Sequence, residues 1–362
     1  MSGILNAFVA GARAFVPYAP TIGTATVTGY TTASVTYTAS TNTGGSPITS
    51  YTAVSSPGGI TGTLATSGSG TINISGLSQG TAYTFTVYAT NAVGNSASSA
   101  ATRAIASVVI SSTVTNYTAN TAKVSGYVTG LTDVTFTVNA AITSPSTGSY
   151  AFTVDTSWAA GDTVAVVNNS YILGMGGAAG GGAGYYYPYD AVAGASGGPA
   201  IYVGRTITFT NNGIVGSGGS GGGGGGSCYI YGYSKNTIVM GAGGGGGGRS
   251  SSNSYPSAGG AGGSGWTGSN PGNNGQPGSG GTFSAAGLGA AGSLFSPTYY
   301  AGAGGNGGSW GSAGVTGDNG TPSDKGFTVY GAAGGAAQYS LIGKANVNSG
   351  AGISGTVYGA QG

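Results

Sequence analysis

From residue 20 to about residue 173, apolar and polar residues alternate along the chain. In Tyr83-Thr84-Phe85-Thr86-Val87-Tyr88-Ala89-Thr90, positions 83, 85, 87 and 89 fall on one face. A pleated strand sends successive side chains to opposite faces, so this run predicts a half-buried strand with those four residues inward. The same alternation recurs in Val134-Thr135-Phe136-Thr137-Val138, in Tyr150-Ala151-Phe152-Thr153-Val154 and in Thr163-Val164-Ala165-Val166. Abundant Thr, Val and Tyr suit a pleated surface. No stretch shows the three-to-four spacing of an amphipathic helix, so the fold class is all-β. Turn-forming clusters at 42–47, 56–59, 76–80 and 91–95 cut residues 20–104 into short strands. That spacing predicts a β-sandwich of roughly seven strands. Residues 105–173 form a second β region, too short and interrupted for another sandwich of that kind.

After residue 173 the alternation gives way to glycine. Of 80 glycines, 18 precede residue 174, so 80 − 18 = 62 follow it. They gather in tracts near 174–184, 216–226, 241–248, 257–265, 271–281, 301–308, 311–320 and 331–337. Collagen is excluded, because the runs 221–226 and 243–248 break a strict three-residue period and 12 prolines are too few. A flexible Gly/Ser linker is the usual expectation for such composition, but linkers do not alternate with aromatic segments. The third reading is a bundle of polyproline-II-like glycine helices, with a glycine-rich β-solenoid or a mixed structure as the alternative. Such a helix has three residues per turn and no internal hydrogen bonds, so its N–H and C=O groups point outward. Side by side, glycine helices satisfy one another, as a dry interior requires. Eight residues would span about 25 Å.

An internal repeat links the two halves. Thr163-Val164-Ala165-Val166-Val167-Asn168-Asn169-Ser170-Tyr171-Ile172-Leu173-Gly174 aligns with Thr206-Ile207-Thr208-Phe209-Thr210-Asn211-Asn212-Gly213-Ile214-Val215-Gly216, allowing one inserted residue. Each copy is a strand, an Asn-rich turn, a short strand and then glycine. A fainter third copy begins at Asn346-Val347-Asn348-Ser349-Gly350. The repeats place strands at the start and the close of the glycine-rich half.

Composition narrows the chemistry. Charged residues make up 4% of the chain, there is no histidine, and all six acids are aspartates. Histidine-based catalysis and histidine-ligated zinc are excluded. The single cysteine, Cys228, forms neither an internal disulfide nor a cysteine-rich metal site. Gly343-Lys344 is followed by Ala345, so no P-loop is present, and Asp318-Asn319-Gly320 with Asp324 fits a solvated turn. The expectation is a protein that is not an enzyme and uses no cofactor or metal. A net charge of +2 gives no footprint for nucleic acid, and no apolar run is long enough to insert in a membrane. The segment 4–10 is apolar, with Arg13 behind it rather than ahead. It fits a short plug that docks on another subunit better than a secretory signal. The expected domains are therefore an anchor at 1–19, a sandwich at 20–104, a second β region at 105–173 and a glycine-rich domain at 174–362.

Aromatic residues concentrate between the glycine tracts. The candidate contact residues are Tyr185, Tyr186, Tyr187 and Tyr189; Tyr229, Tyr231, Tyr233 and Lys235; Arg249 and Tyr255; Phe295, Tyr299 and Tyr300; and the isolated Trp266 and Trp310. Tyr and Trp offer large, rigid, amphipathic contact area at low entropic cost. The same residues also serve to cap a glycine bundle, which has no side chains of its own to bury. Both uses stand open on sequence grounds.

Two resemblances rest on these residues. Ser46-Pro47-Ile48-Thr49-Ser50-Tyr51, Gly76-Leu77 through Gly80-Thr81-Ala82-Tyr83-Thr84-Phe85, and Asn91-Ala92-Val93-Gly94 resemble a bacterial or phage-type fibronectin type III domain. The resemblance implies a tyrosine corner, with the Tyr83 hydroxyl bonding back to the backbone. Residues 160–362, with glycine tracts separated by aromatic loops, resemble the distal adhesins of T-even-like phage tail fibres. This second resemblance implies a rigid glycine platform whose loops recognise a host-surface glycan or an outer-membrane protein, without covalent chemistry. It also implies a place on the distal surface of the virion tail, with other tail proteins met through the N-terminal segment. The fibronectin-like domain in front departs from the adhesin pattern. Fibres are commonly trimeric, although glycine rods can also close within one chain. A capsid or tail decoration fibre, or a bacterial surface filament, is the structural alternative. Ice binding would need a flat, regular Thr or Ala face, which the irregular tracts do not offer.

Overall fold

A computed structural model describes residues 13–182 and 191–225. Beyond these it describes 228–231, 237–240, 266–267, 276–281, 285–291, 294–296, 299–300, 303–309, 312–319, 332–334, 336, 339–342, 347–348, 356–358 and 360–361. The chain divides into two compact units. One comprises Met1–Val109, Thr121–Phe136 and Trp158–Val164, and the other Ile110–Asn120, Thr137–Ser157 and Ala165–Gly362. Among the described residues the only helical piece is a 3-10 turn at Thr121–Lys123; the fold is all-β, as the alternation predicts.

Six strands build the sandwich: β1 (Thr21–Gly29), β2 (Thr32–Thr38), β3 (Ile48–Ser56), β4 (Thr61–Leu64), β5 (Gly70–Ser75) and β6 (Thr84–Asn91). They form two antiparallel sheets, ordered β1-β2-β5 and β4-β3-β6. Tyr83, Phe85, Val87 and Ala89 are all buried, with Tyr51, Ile72 and Ile74, while the alternate residues of β6 stay half-exposed. The corner also forms: the Ser78 amide donates to the Tyr83 hydroxyl at 3.1 Å.

The seventh position of the sandwich is filled differently. Ser96, Ser99 and Thr102 donate their amides to the carbonyls of Ala89, Val87 and Phe85. Their hydroxyls accept from the amides of the same three residues at 2.9, 2.9 and 3.0 Å. The segment advances three residues while β6 advances two, so it cannot run as a ladder strand. Side-chain oxygens take the place of the carbonyls that a regular strand would present.

Beyond the sandwich the chain winds through three sheets in turn. The first circuit is β7 (Ala104–Ile110), β8 (Val114–Thr115) and β9 (Tyr117–Ala119). The second is β10 (Thr132–Val138), β11 (Ile142–Thr143) and β12 (Phe152–Val154). The third is β13 (Thr163–Asn168), β14 (Tyr171–Leu173) and β15 (Ile201–Val203), and the fourth opens with β16 (Ile207–Asn211) and β17 (Ile214–Gly216). Five further strands follow, β18 (Cys228–Tyr231), β19 (Thr237–Met240), β20 (Trp266–Thr267), β21 (Leu294–Ser296) and β22 (Tyr299–Tyr300). The fourth circuit then closes with β23 (Tyr339–Ile342), and the fifth is β24 (Val347–Asn348), β25 (Thr356–Tyr358) and β26 (Ala360–Gln361). The three sheets are β7-β10-β13-β16-β24, β8-β11-β14-β17-β25 and β9-β12-β15-β23-β26. Each circuit adds one strand to each sheet, which makes a parallel three-sheet solenoid. Strands β7, β10 and β13 each begin in the first compact unit and end in the second.

In-register columns hold the solenoid together. Val114, Ile142, Ile172, Val215 and Val357 pair in succession along the second sheet. Ile142, Ile172 and Val215 are fully buried or nearly so, as aliphatic stacking on a parallel sheet requires. The repeat seen in the sequence is a pair of circuits. Asn168 lies opposite Asn211 and Tyr171 opposite Ile214, so the two copies align without the inserted residue that the sequence alignment allowed. The Asn168 side chain donates to Asn211 at 2.7 Å in the interior. Outside, Asn212 donates to Asn169 at 2.8 Å and Asn169 to Asn139 at 3.0 Å. The third copy joins the same sheet through Ile207↔Val347 and Thr208↔Asn348. The three sheets therefore run across residue 173, where composition changes most sharply.

Candidate functional site

The glycine tracts leave the solenoid at one place, the connection from the second sheet to the third. That connection is residue 116 alone in the first circuit, 144–151 in the second, 174–200 in the third, 217–338 in the fourth and residue 359 in the fifth. The last two large insertions contain all the glycine rods.

The rods begin where paired strands end. Leu173 lies opposite Gly216 at the close of β14 and β17. From there Gly174, Gly177 and Gly180 donate to the carbonyls of Gly216, Gly219 and Gly222, each at 2.8 Å. Donors three residues apart meet acceptors three residues apart, which is the period of a polyproline-II-type helix. Among the described residues no glycine beyond Gly130 has a positive φ, as that helix requires. The parallel strand pair thus continues as a parallel rod pair, 174–182 beside 217–225.

Rod 217–225 is the axis of the body and is buried throughout. Gly218, Gly221 and Gly224 donate to Gly198, Ala195 and Val192 of a rod running the opposite way. Gly305 and Gly308 donate to Gly223 and Ser220, also antiparallel, while Ser220 and Gly223 donate to Ser312 and Val315 of a parallel rod. Ala332 donates to Gly224. Only glycine fits these contacts. A Cβ on Gly218, Gly221 or Gly224 would lie 1.8–1.9 Å from the carbonyl oxygens of Met175, Ala178 and Gly181, and on Gly222 or Gly223 it would meet Gly305 and Ala332 as closely. Ser217 and Ser220 are the two residues of the axis with a side chain, and Ser220 lies within it. The Ser220 hydroxyl accepts from the Gly197 amide at 3.2 Å and donates to the Ala336 carbonyl.

The rod directions sort the ends of the body. Rods 174–182, 217–225 and 312–319 run away from the solenoid strands, and 191–198 and 303–309 run back. Rod 285–291 pairs antiparallel with 303–309, through Gly304 to Ala290 and Gly307 to Gly287, so it also runs outward. Each of the outward rods 174–182, 217–225 and 285–291 leads into an aromatic segment. After 217–225 comes a three-stranded antiparallel sheet, β18-β19-β20. Its register sets Tyr229 opposite Val239 and Val239 opposite Trp266, with Tyr231 opposite Thr237. After 285–291 comes the hairpin β21-β22, where Leu294 lies opposite Tyr300 and Ser296 opposite Tyr299, with Phe295 at the irregularity between them.

The structure thus brings Tyr229, Tyr231 and Trp266 into one small sheet and Phe295, Tyr299 and Tyr300 into one hairpin. Tyr185, Tyr186, Tyr187, Tyr189, Tyr233, Lys235, Arg249, Tyr255 and Trp310 lie outside the described residues, as do residues 1–12. The chain flanking 183–190 belongs to the outer end of two rods. Ser309 and Ser312, which flank Trp310 and are joined by a backbone hydrogen bond, belong to the end nearer the solenoid strands. No charged side chain occurs in rods 174–182, 191–198, 217–225 or 303–309. Among the described residues no group of three or more potential metal ligands clusters. Sequence reasoning missed Ser220 and the shared exit of both insertions. The 30-residue offset from Ile142 to Ile172, beside the 43-residue offset from Ile172 to Val215, carried that signal.

Two family models match parts of the chain. Residues 18–105 match the fibronectin type III domain, and residues 105–236 match the family of phage tail fibre adhesin Gp38. The adhesin match covers the first circuits, the first rods and β18. No curated protein matches the chain at a significant level. Solved structures similar over 25% of this chain include domains A168–A170 of titin at 23% identity, the titin kinase with its flanking domains at 23%, and the twitchin kinase region from C. elegans at 24%. All three have a TM-score of 0.22, and the match spans 32%, 17% and 17% of those chains.

Proposed function

We propose that this chain is the receptor-binding tip of a phage tail fibre and attaches the virion to its host through aromatic loops on the glycine-rod body. The observation that carries the reading is the sorting of rod ends. Two outward rods, 217–225 and 285–291, lead into aromatic strands, β18-β19-β20 and β21-β22, and residues 105–236 match a tail fibre adhesin family. The hydrogen-bonded rods fix where each outward segment begins, which lowers the ordering cost of binding. With 4% charged residues, recognition of a host-surface glycan or an outer-membrane protein rests on stacking and apolar contact. The protein works at the distal surface of the virion tail, joined to other tail proteins through its N-terminal segment. Several copies, as in a trimer, would raise avidity. No step in this function is catalytic.

Cell binding by the purified chain tests it. Tyr229→Ala with Trp266→Ala, and separately Tyr299→Ala with Tyr300→Ala, should each weaken binding ~30-fold if the pair contributes about 2 kcal/mol as an anchor. Raising salt tenfold should change binding by less than about twofold, since screening acts on charges. Unchanged binding in both double variants, or attachment abolished by salt, overturns the aromatic-contact mechanism.

A further inference from the structure

We propose that the glycine-rod body is a removable cassette on the solenoid: the five circuits close without it, and recognition leaves with it. The recognition half of this statement rests on the function proposed above; the structural half rests on register alone. At the end of the second sheet, Thr115, Thr143, Leu173, Gly216 and Tyr358 pair in succession. At the start of the third, Tyr117, Phe152 and Ile201 pair in succession, and Tyr339 pairs with Ala360. Parallel pairing therefore holds the two ends of the connection at equivalent places in the first three circuits, whereas Ile201 pairs with Leu341, so in the fourth circuit Tyr339 starts two residues ahead of that place and is matched by Ala360 of the fifth. In the first circuit a single residue, Asn116, joins Thr115 to Tyr117; in the fifth, residue 359 alone joins Tyr358 to Ala360. A linker that closes the first circuit fits the third, and one that closes the fifth fits the fourth.

The details of the corner support the exchange. Asn116 has φ 50°, in the left-handed region that glycine enters freely. The residues just before β12 and β15 offer their carbonyls to the neighbouring circuit: Ala151 accepts from Tyr117, and Ala200 accepts from Ala151 and Phe152. One glycine between Leu173 and Ile201 takes the place of Ala200 and keeps that carbonyl. The rods, for their part, spend their hydrogen bonds on each other. Gly177, Gly180, Gly221 and Gly224 all donate to other rods of the same body.

The test replaces residues 174–200 by one glycine and residues 217–338 by another in the otherwise full chain. Single excisions of each insertion are made in parallel. The double excision removes Trp266 and Trp310, leaving Trp158 as the only tryptophan of three. Trp158 is buried against Phe136 of β10 and Tyr127, with ring centroids 6.0 and 5.7 Å away. Trp158 packs on β10 but lies in the compact unit that also holds the sandwich, so amide protection across 201–216 is the readout specific to the circuits from which the insertions are removed. The expected result is blue-shifted Trp158 emission, a cooperative melt of that signal, amide protection across 201–216, and cell binding at background. Solvent-exposed Trp158 emission or unprotected 201–216 amides overturn the removable cassette. A folded double excision that still binds cells upholds the removable construction and overturns the recognition reading, so the two failures are distinguishable.

Discussion

The sandwich and the glycine-rod body solve the same problem by opposite means. In the sandwich, backbone groups are used up within each sheet, and the space between sheets is filled by Tyr51, Ile72, Phe85 and Val87, all at or near zero exposure. Burial of such side chains contributes roughly 1.5–3 kcal/mol each. In the rods there is almost nothing to bury. Rod 217–225 is enclosed on several sides, yet apart from Ser217 and Ser220 its interior is backbone, and amide-to-carbonyl bonds fill it. Glycine loses more conformational freedom on ordering than any other residue, and a net gain of about 1 kcal/mol per hydrogen bond must offset it. A side-chain core tolerates exchange of one apolar group for another. A backbone core tolerates none, because a single Cβ at Gly221 falls on the Ala178 carbonyl.

Substitutions that damage one core and spare the other break the comparison most sharply. Phe85→Ala should cost about 3–5 kcal/mol in the sandwich melt and leave amide protection in rod 217–225 unchanged. Gly221→Ala should do the reverse. It forces a carbon to within 1.9 Å of a carbonyl oxygen, and overpacking of that kind costs roughly 1–3 kcal/mol or more. Hydrogen exchange should rise in 191–198 and 217–225 while the sandwich melts as before. The matched control is Gly68→Ala, where a Cβ meets nothing within 4 Å; it should shift the sandwich melt by less than about 0.5 kcal/mol. If both alanines are equally tolerated, the rods are not packed backbone to backbone.

Asn211→Ala probes the solenoid, which mixes the two strategies. It leaves the buried Asn168 amide without its 2.7 Å acceptor, with only the Ile214 carbonyl at 3.4 Å in reach. A loss of about 1–3 kcal/mol, at the lower end because of that second acceptor, should appear in thermal unfolding. The smallest effect expected is on pH. Burial, with Tyr51 nearby, raises Tyr37 from 10.0 to about 12 in the sandwich, and burial raises Tyr117 to about 12 in the solenoid. The neutral form is favoured in the fold, so this stability is fully present below pH 10 and is lost as pH climbs towards 12. Rod 217–225 has no ionisable side chain, so alkaline titration should loosen the strand regions before it perturbs rod amide protection.

The two regions were unequally legible. The strand Tyr83–Ala89 could be read outright, because a period of two has one physical meaning and burial follows it residue by residue. The corner at Tyr83 followed from the fibronectin resemblance and formed. The place of a seventh strand did not follow, because Ser96, Ser99 and Thr102 pair at a spacing of three against two, and no residue preference announces that. Along the described rods Gly174, Gly177 and Gly180 donate at a spacing of three, the spacing that packed glycine helices would use. The neighbours of each rod were not legible, since glycine tracts are interchangeable as sequence. The repeat at Asn168 and Asn211 was visible, but its meaning as stacked circuits was not, because 174–200 and 217–338 separate strands that lie side by side. Of the candidate site, the aromatic clusters were found by composition, whereas the pairing of Tyr229 with Trp266 across Val239 needed the register.

Local chemistry therefore settled the kind of the longer alternating strands and of the described rods. Alternation made strands, asparagine made turns, and the want of side chains made rods, since each depends on neighbours within a few residues. Tertiary structure alone decided which rod lies beside which and towards which end each one runs. A glycine carries no information about its partner, so that choice is made by the parallel strands of the solenoid. Leu173 and Gly216 are held side by side, and the glycines that follow continue in step.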